Sequence, residues 1–471
     1  MRIPDRSLSS FHGHVMRYSF VETMSVFVYL EAFESNVYDR CRDAGSYREI
    51  KTDYSASYVF SPRHAPVISW HAPMTEAASS ARATPTLAMH LDSSHLAYCT
   101  NIHPAETWEE TRHVLQTHVL AVRDLLRAQG VLAADAPFAI GLRLSAVAAR
   151  ELLEGGRLAE FRAWLTETNT YVFTINGFPY GNFHGTRVKE QVFQPDWSER
   201  TRLDYTKDLF RILAAIARPG SAASVSSLPG SHKSFAADES LIRQNLLELA
   251  AWLDDLSATT GHDFHLGLEP EPLGHFENTV ETVAFFHRLQ AVAADATAIQ
   301  RRIGVNYDAC HFALEYDAAR TSLDTLTAAN IRISKIHLSS ALAFDPRDPA
   351  ALAAIRAFDE PVYFHQVLLR NRAGGITRFR DLPDFLTSGE DAAGFTEARV
   401  HFHIPLDAEP APPLRSTRDH AREVLAWHRD HPAACQHYEI ETYTWAALPA
   451  ALQRPVEEQI AGEYHWVLSN G

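Results

Sequence analysis

Only four cysteines occur in 471 residues (Cys41, Cys99, Cys310 and Cys435), and no two of them form a CxxC pair. That excludes a zinc ribbon and a CxxC redox centre, and a reducing compartment is the simpler reading. No GxGxxG loop follows the first strand candidate, so an open dinucleotide-type sheet lacks its phosphate-binding turn. Long apolar runs are missing too. The longest near the N-terminus, Met24 to Phe33, is broken by Glu31 and lacks signal-peptide flanks. Positive charge is short, with 43 Lys and Arg against 58 Asp and Glu, a net −15. Residues 1–88 carry nine of each sign, so the whole acidic excess falls on the rest of the chain. Such a body repels phosphate backbones and argues against a nucleic-acid partner, while leaving room for a small phosphorylated ligand held by local cations. The expected protein is soluble and cytoplasmic, with no membrane insertion.

What is present changes character at Met89. Residues 1–88 show no sustained helical or strand period. They are rich in Ser, Arg, Tyr and scattered His, and end in the linker-like run from Glu76 to Pro85. They read as a low-order N-terminal extension, with Met89 as a candidate true start; a small added domain is the rival reading. After Met89, short β-rich runs alternate with amphipathic stretches. The strand candidates are Leu96–His103, Phe138–Ser145, Tyr171–Phe178, Ala222–Leu228, Phe264–Glu269, Ile303–Asp308, Ile333–Leu338 and His437–Glu441. Helical stretches such as Trp108–Gln129, Glu199–Ala217, Glu239–Thr259, Val280–Ala293 and Asp419–Arg429 lie between them. Eight such units predict an α/β fold of the (β/α)8 TIM-barrel type over 89–471. An open doubly wound sheet is the runner-up.

Side-chain alternation supports closure. In the second candidate, Phe138, Ile140, Leu142 and Leu144 share one face, and Ala139, Gly141, Arg143 and Ser145 share the other. The first sets Leu96, Tyr98 and Ile102 against Ala97, Cys99, Asn101 and His103; the sixth sets Ile303, Val305 and Tyr307 against Gly304, Asn306 and Asp308. One face suits packing on helices. The other is small or polar, and becomes more polar toward the strand's C-terminal end, as a barrel interior with a site at that mouth requires. One stretch breaks the rhythm, an insertion at about 342–415 with a predicted hairpin (Gln366–Arg370 and Ile376–Arg380). A long βα insertion lies over the mouth and is a candidate lid or substrate-binding element.

Four consecutive strand ends supply ligand-type residues: Glu269, Asp308, His337 and Glu441. Alternation lets all four point into the barrel at similar height. Three carboxylates and one imidazole suit Mn²⁺, Mg²⁺ or Co²⁺, with Zn²⁺ as a further option. Lys335 and Glu439 stand one layer deeper on the same strands and read as a structural ion pair. His311 would face away on a continuing strand, and reaches the site only if the strand has ended.

The progression Glu269…Asp308-x-x-His311…His337…Glu441 resembles the xylose-isomerase-like barrel superfamily, which includes ketose 3-epimerases, inosose-processing enzymes and endonuclease IV. Several strings resemble, more specifically, the metabolite-traffic (EboE) family of ebo gene clusters. They are His95-Leu-Ala-Tyr-Cys-Thr-Asn-Ile-His-Pro-Ala-Glu-Thr-Trp108, Gly141-Leu-Arg-Leu-Ser145, Thr174-Ile-Asn-Gly-Phe-Pro-Tyr-Gly-Asn-Phe-His-Gly185, Val188-Lys-Glu-Gln-Val192 and Glu439-Ile-Glu-Thr-Tyr-Thr-Trp445. The resemblance runs from about Met89 nearly to the end. It implies a bacterial cluster that makes or moves a secondary-metabolite precursor, with proteins of that cluster as partners. The superfamily implies a divalent metal cofactor and catalytic roles for Glu269 and Glu441, one removing and one returning a proton in isomerisation or epimerisation of a sugar, cyclitol or its phosphate. Asp308 and His337 would complete the coordination. His311, Arg143, Asn101, Asn176, His184 and His403 would bind substrate, with Arg143 as the anion-binding candidate. His401 and His403 share a strand face. That keeps open an endonuclease-IV-like multi-metal phosphodiester hydrolase acting on a small molecule. A non-catalytic carrier barrel is the bland alternative.

Overall fold

The computed structural model describes residues 90–91, 94–181, 183–184, 189–449 and 453–471, so the expectations for residues 1–88 lie outside the described residues. Eight parallel strands form the centre: β1 (Ser94–Tyr98), β2 (Phe138–Arg143), β3 (Thr170–Asn176), β4 (Ala222–Ser227), β5 (Asp263–Leu268), β6 (Ile303–Asp308), β7 (Arg332–Leu338) and β8 (His437–Ile440). From β2 to β8 each strand pairs with the next in sequence, and β8 pairs in parallel with β1. A parallel bridge between Cys99 and Gly141 brings β1 against β2 and closes the ring. The fold is a (β/α)8 barrel.

Closure depends on Gly141 having no side chain. A Cβ there would meet the Tyr98 carbonyl oxygen at 2.5 Å and Glu439 Oε1 at 2.0 Å. The glycine therefore admits both a neighbouring backbone and an interior carboxylate. The outward residues Leu96, Phe138, Leu142, Ile303, Val305 and Tyr307 are wholly buried under the surrounding helices. At about 25 cal/mol per Å² of apolar surface removed from water, these faces carry most of the stabilisation of the sheet–helix contact.

The helices fall where the periodicity predicts them, including Arg200–Ile216, Glu239–Thr260, Thr279–Val292 and Arg418–Asp430. The first starts at Trp108 with a capping box. Thr107 Oγ1 accepts from the Glu110 N–H at 3.2 Å, and the Glu110 carboxylate accepts from the Thr107 N–H at 2.9 Å.

Between β7 and β8 the insertion builds a second, antiparallel five-stranded sheet. Its strands run in the order Ile376–Phe379, Val367–Asn371, Phe395–Val400, Leu342–Phe344, Arg415–Ser416. The hairpin forms as predicted, with Val367 opposite Phe379. The sheet has its own core, which includes Leu342, Phe344, Val367, Leu369, Val400, Phe402 and Ile404. No helix among the described residues is long and apolar enough to cross a membrane.

Candidate metal centre and adjoining cavity

β6 ends at Asp308, and the chain turns directly into a helix, Ala309–Leu314. Asp308 caps that helix: its Oδ1 accepts from the His311 N–H at 3.0 Å and from Ser339 Oγ at 2.7 Å. The turn also swings His311 back over the strand end, where its Nε2 lies 3.9 Å from Asp308 Oδ1. Register aligns the next strands: Asp308 is the pairing partner of His337, and His337 that of Glu439.

Glu269, Asp308, His337 and Glu441 converge, with one ligand atom from each within 4.8 Å of all the others and all four side chains buried. His337 Nδ1 lies 3.1 Å from Glu269 Oε1, 3.2 Å from Glu441 Oε2 and 3.5 Å from Asp308 Oδ2. Asp308 Oδ2 is buried and accepts no hydrogen bond. An orphaned carboxylate oxygen among two further carboxylates is costly in a low-dielectric interior. One positive charge is already supplied by the histidine: burial alone would lower its pKa, but Glu441 and Glu269 outweigh burial and hold it well above the ordinary value. The four-residue donor set and the orphaned oxygen fit a hard divalent cation.

Glu439 is not only the partner of Lys335. Its Oε2 takes the buried Lys335 ammonium and also lies 3.1 Å from His337 Nε2, while Lys335 Nζ donates to Ser226 Oγ at 2.8 Å. The charged pair beneath the site therefore reaches one of the four converging residues.

A second cluster adjoins the first. His311 Nε2 lies 3.1 Å from His401 Nε2 and 3.4 Å from His403 Nε2. Each of these rings spends its other nitrogen on an oxygen: His311 Nδ1 on the Pro270 carbonyl at 2.9 Å, His401 Nδ1 on Gln366 Oε1 at 2.7 Å and His403 Nδ1 on the Glu441 carbonyl at 3.0 Å. With Nδ1–H donating in all three, the bare Nε2 lone pair of His311 faces those of His401 and His403. Burial lowers the pKa of His311 and takes that of His401 well below the ordinary value, which keeps both neutral. Converging lone pairs repel unless a cation lies among them. Tetrahedral ligation at about 2.0–2.1 Å places nitrogens about 3.3 Å apart, close to the two separations from His311 Nε2. Glu271 and Asp308 are within reach of this cluster. Glu271 was not singled out from the sequence; its only signal is its place two residues after Glu269.

The remaining site candidates divide. Asn101 donates to Glu441 Oε1 at 2.8 Å, and Asn176 approaches the same oxygen at 3.5 Å; both line a cavity of about 80 Å³ together with Glu269, Glu271, His311, His401 and Glu441. His184 holds the Asn101 carbonyl through Nε2 at 2.7 Å and Tyr363 through Nδ1 at 3.0 Å, so it stands behind the cavity wall. Arg143 is buried, with its guanidinium taken up by the Ala105 and Gly181 carbonyls and facing Glu106 at 3.6 Å. It ties two loops together and is not among the residues lining the cavity. His103, expected on the inward face, is turned outward by the 3₁₀ turn Thr100–Ile102. It stacks on His118 with ring centroids 4.5 Å apart.

No protein-family model and no curated protein matches the chain. Among solved structures it is similar to the IolI protein with a bound zinc atom (10% identity over 80% of this chain and 97% of that one, TM-score 0.41). It is also similar to the probable 3-DHS dehydratase AsbF of petrobactin synthesis from Bacillus anthracis (11% identity over 79% and 98%, TM-score 0.41). A third likeness is to a xylose isomerase domain protein from Planctomyces limnophilus (13% identity over 70% and 88%, TM-score 0.36). These structural neighbours are xylose-isomerase-like barrel proteins.

Proposed function

We propose that this barrel is a divalent-metal-dependent enzyme that moves a proton between adjacent carbons of a small polyhydroxylated carbonyl compound, an isomerase or epimerase of sugar or cyclitol type. The observation that carries the reading is the convergence of Glu269, Asp308, His337 and Glu441 around a buried carboxylate oxygen that accepts no hydrogen bond. A divalent ion held there supplies Lewis acidity to an adjacent carbonyl oxygen.

The two glutamates are not equivalent. Glu441 Oε1 is held by the Asn101 amide, which leaves that oxygen occupied. Glu269 Oε2 takes no hydrogen bond from any described residue, and Glu269 lines the cavity. Glu269 is therefore the base that takes the first proton and keeps it, and Glu441, entering the step protonated, delivers its own proton to the substrate carbon. Asn176 and the free Oδ1 of Asn101 orient hydroxyls at the same wall. Tyr363, Phe364, Gln366 and His401 come from the insertion and help exclude water from the glutamates.

The assay is metal content together with solvent-deuterium exchange. The purified full chain should retain at least one divalent ion. It should also exchange deuterium from solvent into a responsive sugar or cyclitol, and Glu269→Gln should abolish that exchange. A chain that takes up no divalent ion, even after incubation with Mn²⁺ or Zn²⁺, overturns the reading.

The three-histidine cluster favours a second reading, a two-ion phosphodiester hydrolase acting on a small molecule. That protein would retain two or more ions and turn over bis(4-nitrophenyl) phosphate. Binding without turnover would mark a carrier. The finer assignment to an ebo-type cluster is supported by the sequence strings alone.

A further inference from the structure

The cavity beside the four converging residues has two kinds of wall. One is the oxygen- and nitrogen-rich set already described. The other is aromatic and begins at the histidine cluster. The Tyr443 ring lies 4.7 Å from that of His403, Tyr363 follows at 5.4 Å from Tyr443 and Phe183 at 6.3 Å. Phe178 and Phe193 form an edge-to-face pair 5.4 Å apart in the same lining. Val192 and Phe364 complete it and are only partly buried, so both present surface to the cavity.

Charge in the lining points the same way. Its acidic members are Glu269, Glu271 and Glu441, and its one cationic side chain among the described residues is Lys189. Lys189 is already committed: its ammonium pairs with Asp381 and stands 4.9 Å over the Phe364 ring. Arg143 is consumed by backbone carbonyls. A phosphate lying away from the metal-type residues would meet carboxylates and aromatic rings with no free cation among the described lining.

We infer that the substrate of this site is amphipathic, with an oxygen-rich head at the carboxylate–histidine residues and an uncharged, ring-sized apolar group on the Tyr443–Tyr363–Phe364 wall. This rests on the reading of the site as a metal centre and narrows the substrate class within it. The distal part of the molecule is then an aryl or cyclic hydrocarbon group, not a phosphate. The aromatic faces gain by removing that group from water and by edge-to-face contact with it.

The test uses the full chain loaded with Mn²⁺ and titrated by calorimetry with three chelating probes. Acetohydroxamate is the head alone, benzohydroxamate adds a phenyl ring, and phosphoglycolohydroxamate adds a phosphate. Benzohydroxamate should bind at least tenfold tighter than acetohydroxamate. Val192→Trp, which fills the apolar end, and Phe364→Ala, which removes part of it, should each cut that preference below threefold. No gain from the phenyl ring, or tightest binding by the phosphate probe, would overturn the inference.

Should Mn²⁺ not be retained, the metal reading fails separately. The wall is then read on metal-stripped protein with phenyl and methyl β-D-glucopyranoside. A tenfold preference for the phenyl glycoside, lost in Val192→Trp, supports the apolar group; equal affinities refute it.

Discussion

His337 Nε2 lies 3.1 Å from Glu439 Oε2, and the same carboxylate oxygen receives the Lys335 ammonium, so one buried acid both neutralises a lysine and fixes a histidine. In the metal-free chain the charged ring donates from Nδ1 toward Glu269, Asp308 and Glu441; with Nε2–H kept on Glu439, loss of the Nδ1 proton would leave a lone pair aimed at the same place for a metal ion. Carboxylates behind ligating histidines set both the tautomer and the ring orientation. Glu439→Gln should therefore weaken divalent-metal affinity by about 10- to 100-fold. Competition with a fluorescent chelator reads this, and an unchanged affinity would reduce Glu439 to a mere salt-bridge partner.

Lys335 and Glu439 are both wholly buried. Removing one partner of such a pair leaves a bare charge in the interior and typically costs about 3–5 kcal/mol. Lys335→Met alone should lower the unfolding midpoint strongly. The double change Lys335→Met with Glu439→Gln should recover part of the loss, as no ionised group is then stranded. Equal or additive losses in a urea titration would show that the two charges do not depend on each other.

Gly141→Ala should be severely destabilising, by about 3 kcal/mol or more, since overpacking a rigid interior already costs about 1–3 kcal/mol. The new methyl would meet Glu439 Oε1 and the Tyr98 carbonyl, neither of which can withdraw without opening the β1–β2 closure or disturbing His337. The control is Gly394→Ala, where nothing lies within 4 Å of the added carbon. Its midpoint should stay close to wild type; similar losses at both positions would refute the steric account.

Glu463, on the C-terminal helix Val456–Asn470, gives a pH signature outside the metal centre. Its Oε1 accepts from the Leu406 N–H at 3.0 Å and from Thr442 Oγ1 at 2.6 Å, and its Oε2 has no partner. Burial, with a smaller push from Asp407, raises its pKa from 4.5 to about 8. The folded chain therefore keeps a proton that the unfolded chain releases above about pH 4.5. Stability contributed by this group is highest below that pH and falls as pH rises toward 8, where the folded form ionises as well. Glu463→Gln should flatten that decline. Thermal midpoints at pH 5 and pH 8 compare the two proteins, and an equally steep decline in both would assign it to other groups.

The three-histidine cluster makes a separable prediction. His401→Ala removes one of three converging Nε2 atoms without touching Glu269, Asp308, His337 or Glu441. Metal content by mass spectrometry should fall by one ion per chain if two are bound in the wild type, and the remaining ion should survive dialysis. Loss of all metal would show that the two clusters act as one.

The barrel was legible because its signal is local. Alternation at Phe138–Arg143 and Ile303–Asp308 needs only that successive side chains point to opposite faces, and both strands occur with the expected inner and outer rows. The convergence of Glu269, Asp308, His337 and Glu441 followed from the same rule, as parallel strands of one barrel end at one mouth. Where a strand ends, however, is set by what comes next. Leu96–His103 read as one strand, but the chain leaves β1 at Tyr98, and the turn at Thr100–Ile102 sends His103 outward while Asn101 stays at the site. His311 is the converse: a strand that stops at Asp308 brings it in.

Other assignments depended on contacts far apart in the chain. Arg143 has the inward register expected of an anion ligand, yet the Ala105 and Gly181 carbonyls, supplied by two separate loops, occupy its guanidinium. His311, His401 and His403 meet only because the insertion folds into its own sheet and returns over the mouth. The amino-acid sequence by itself determined which residues face inward, because side-chain period is a property of the local backbone. Only the tertiary structure decided which of those residues remain free to act, because each buried donor and acceptor is satisfied by whatever the rest of the chain brings beside it.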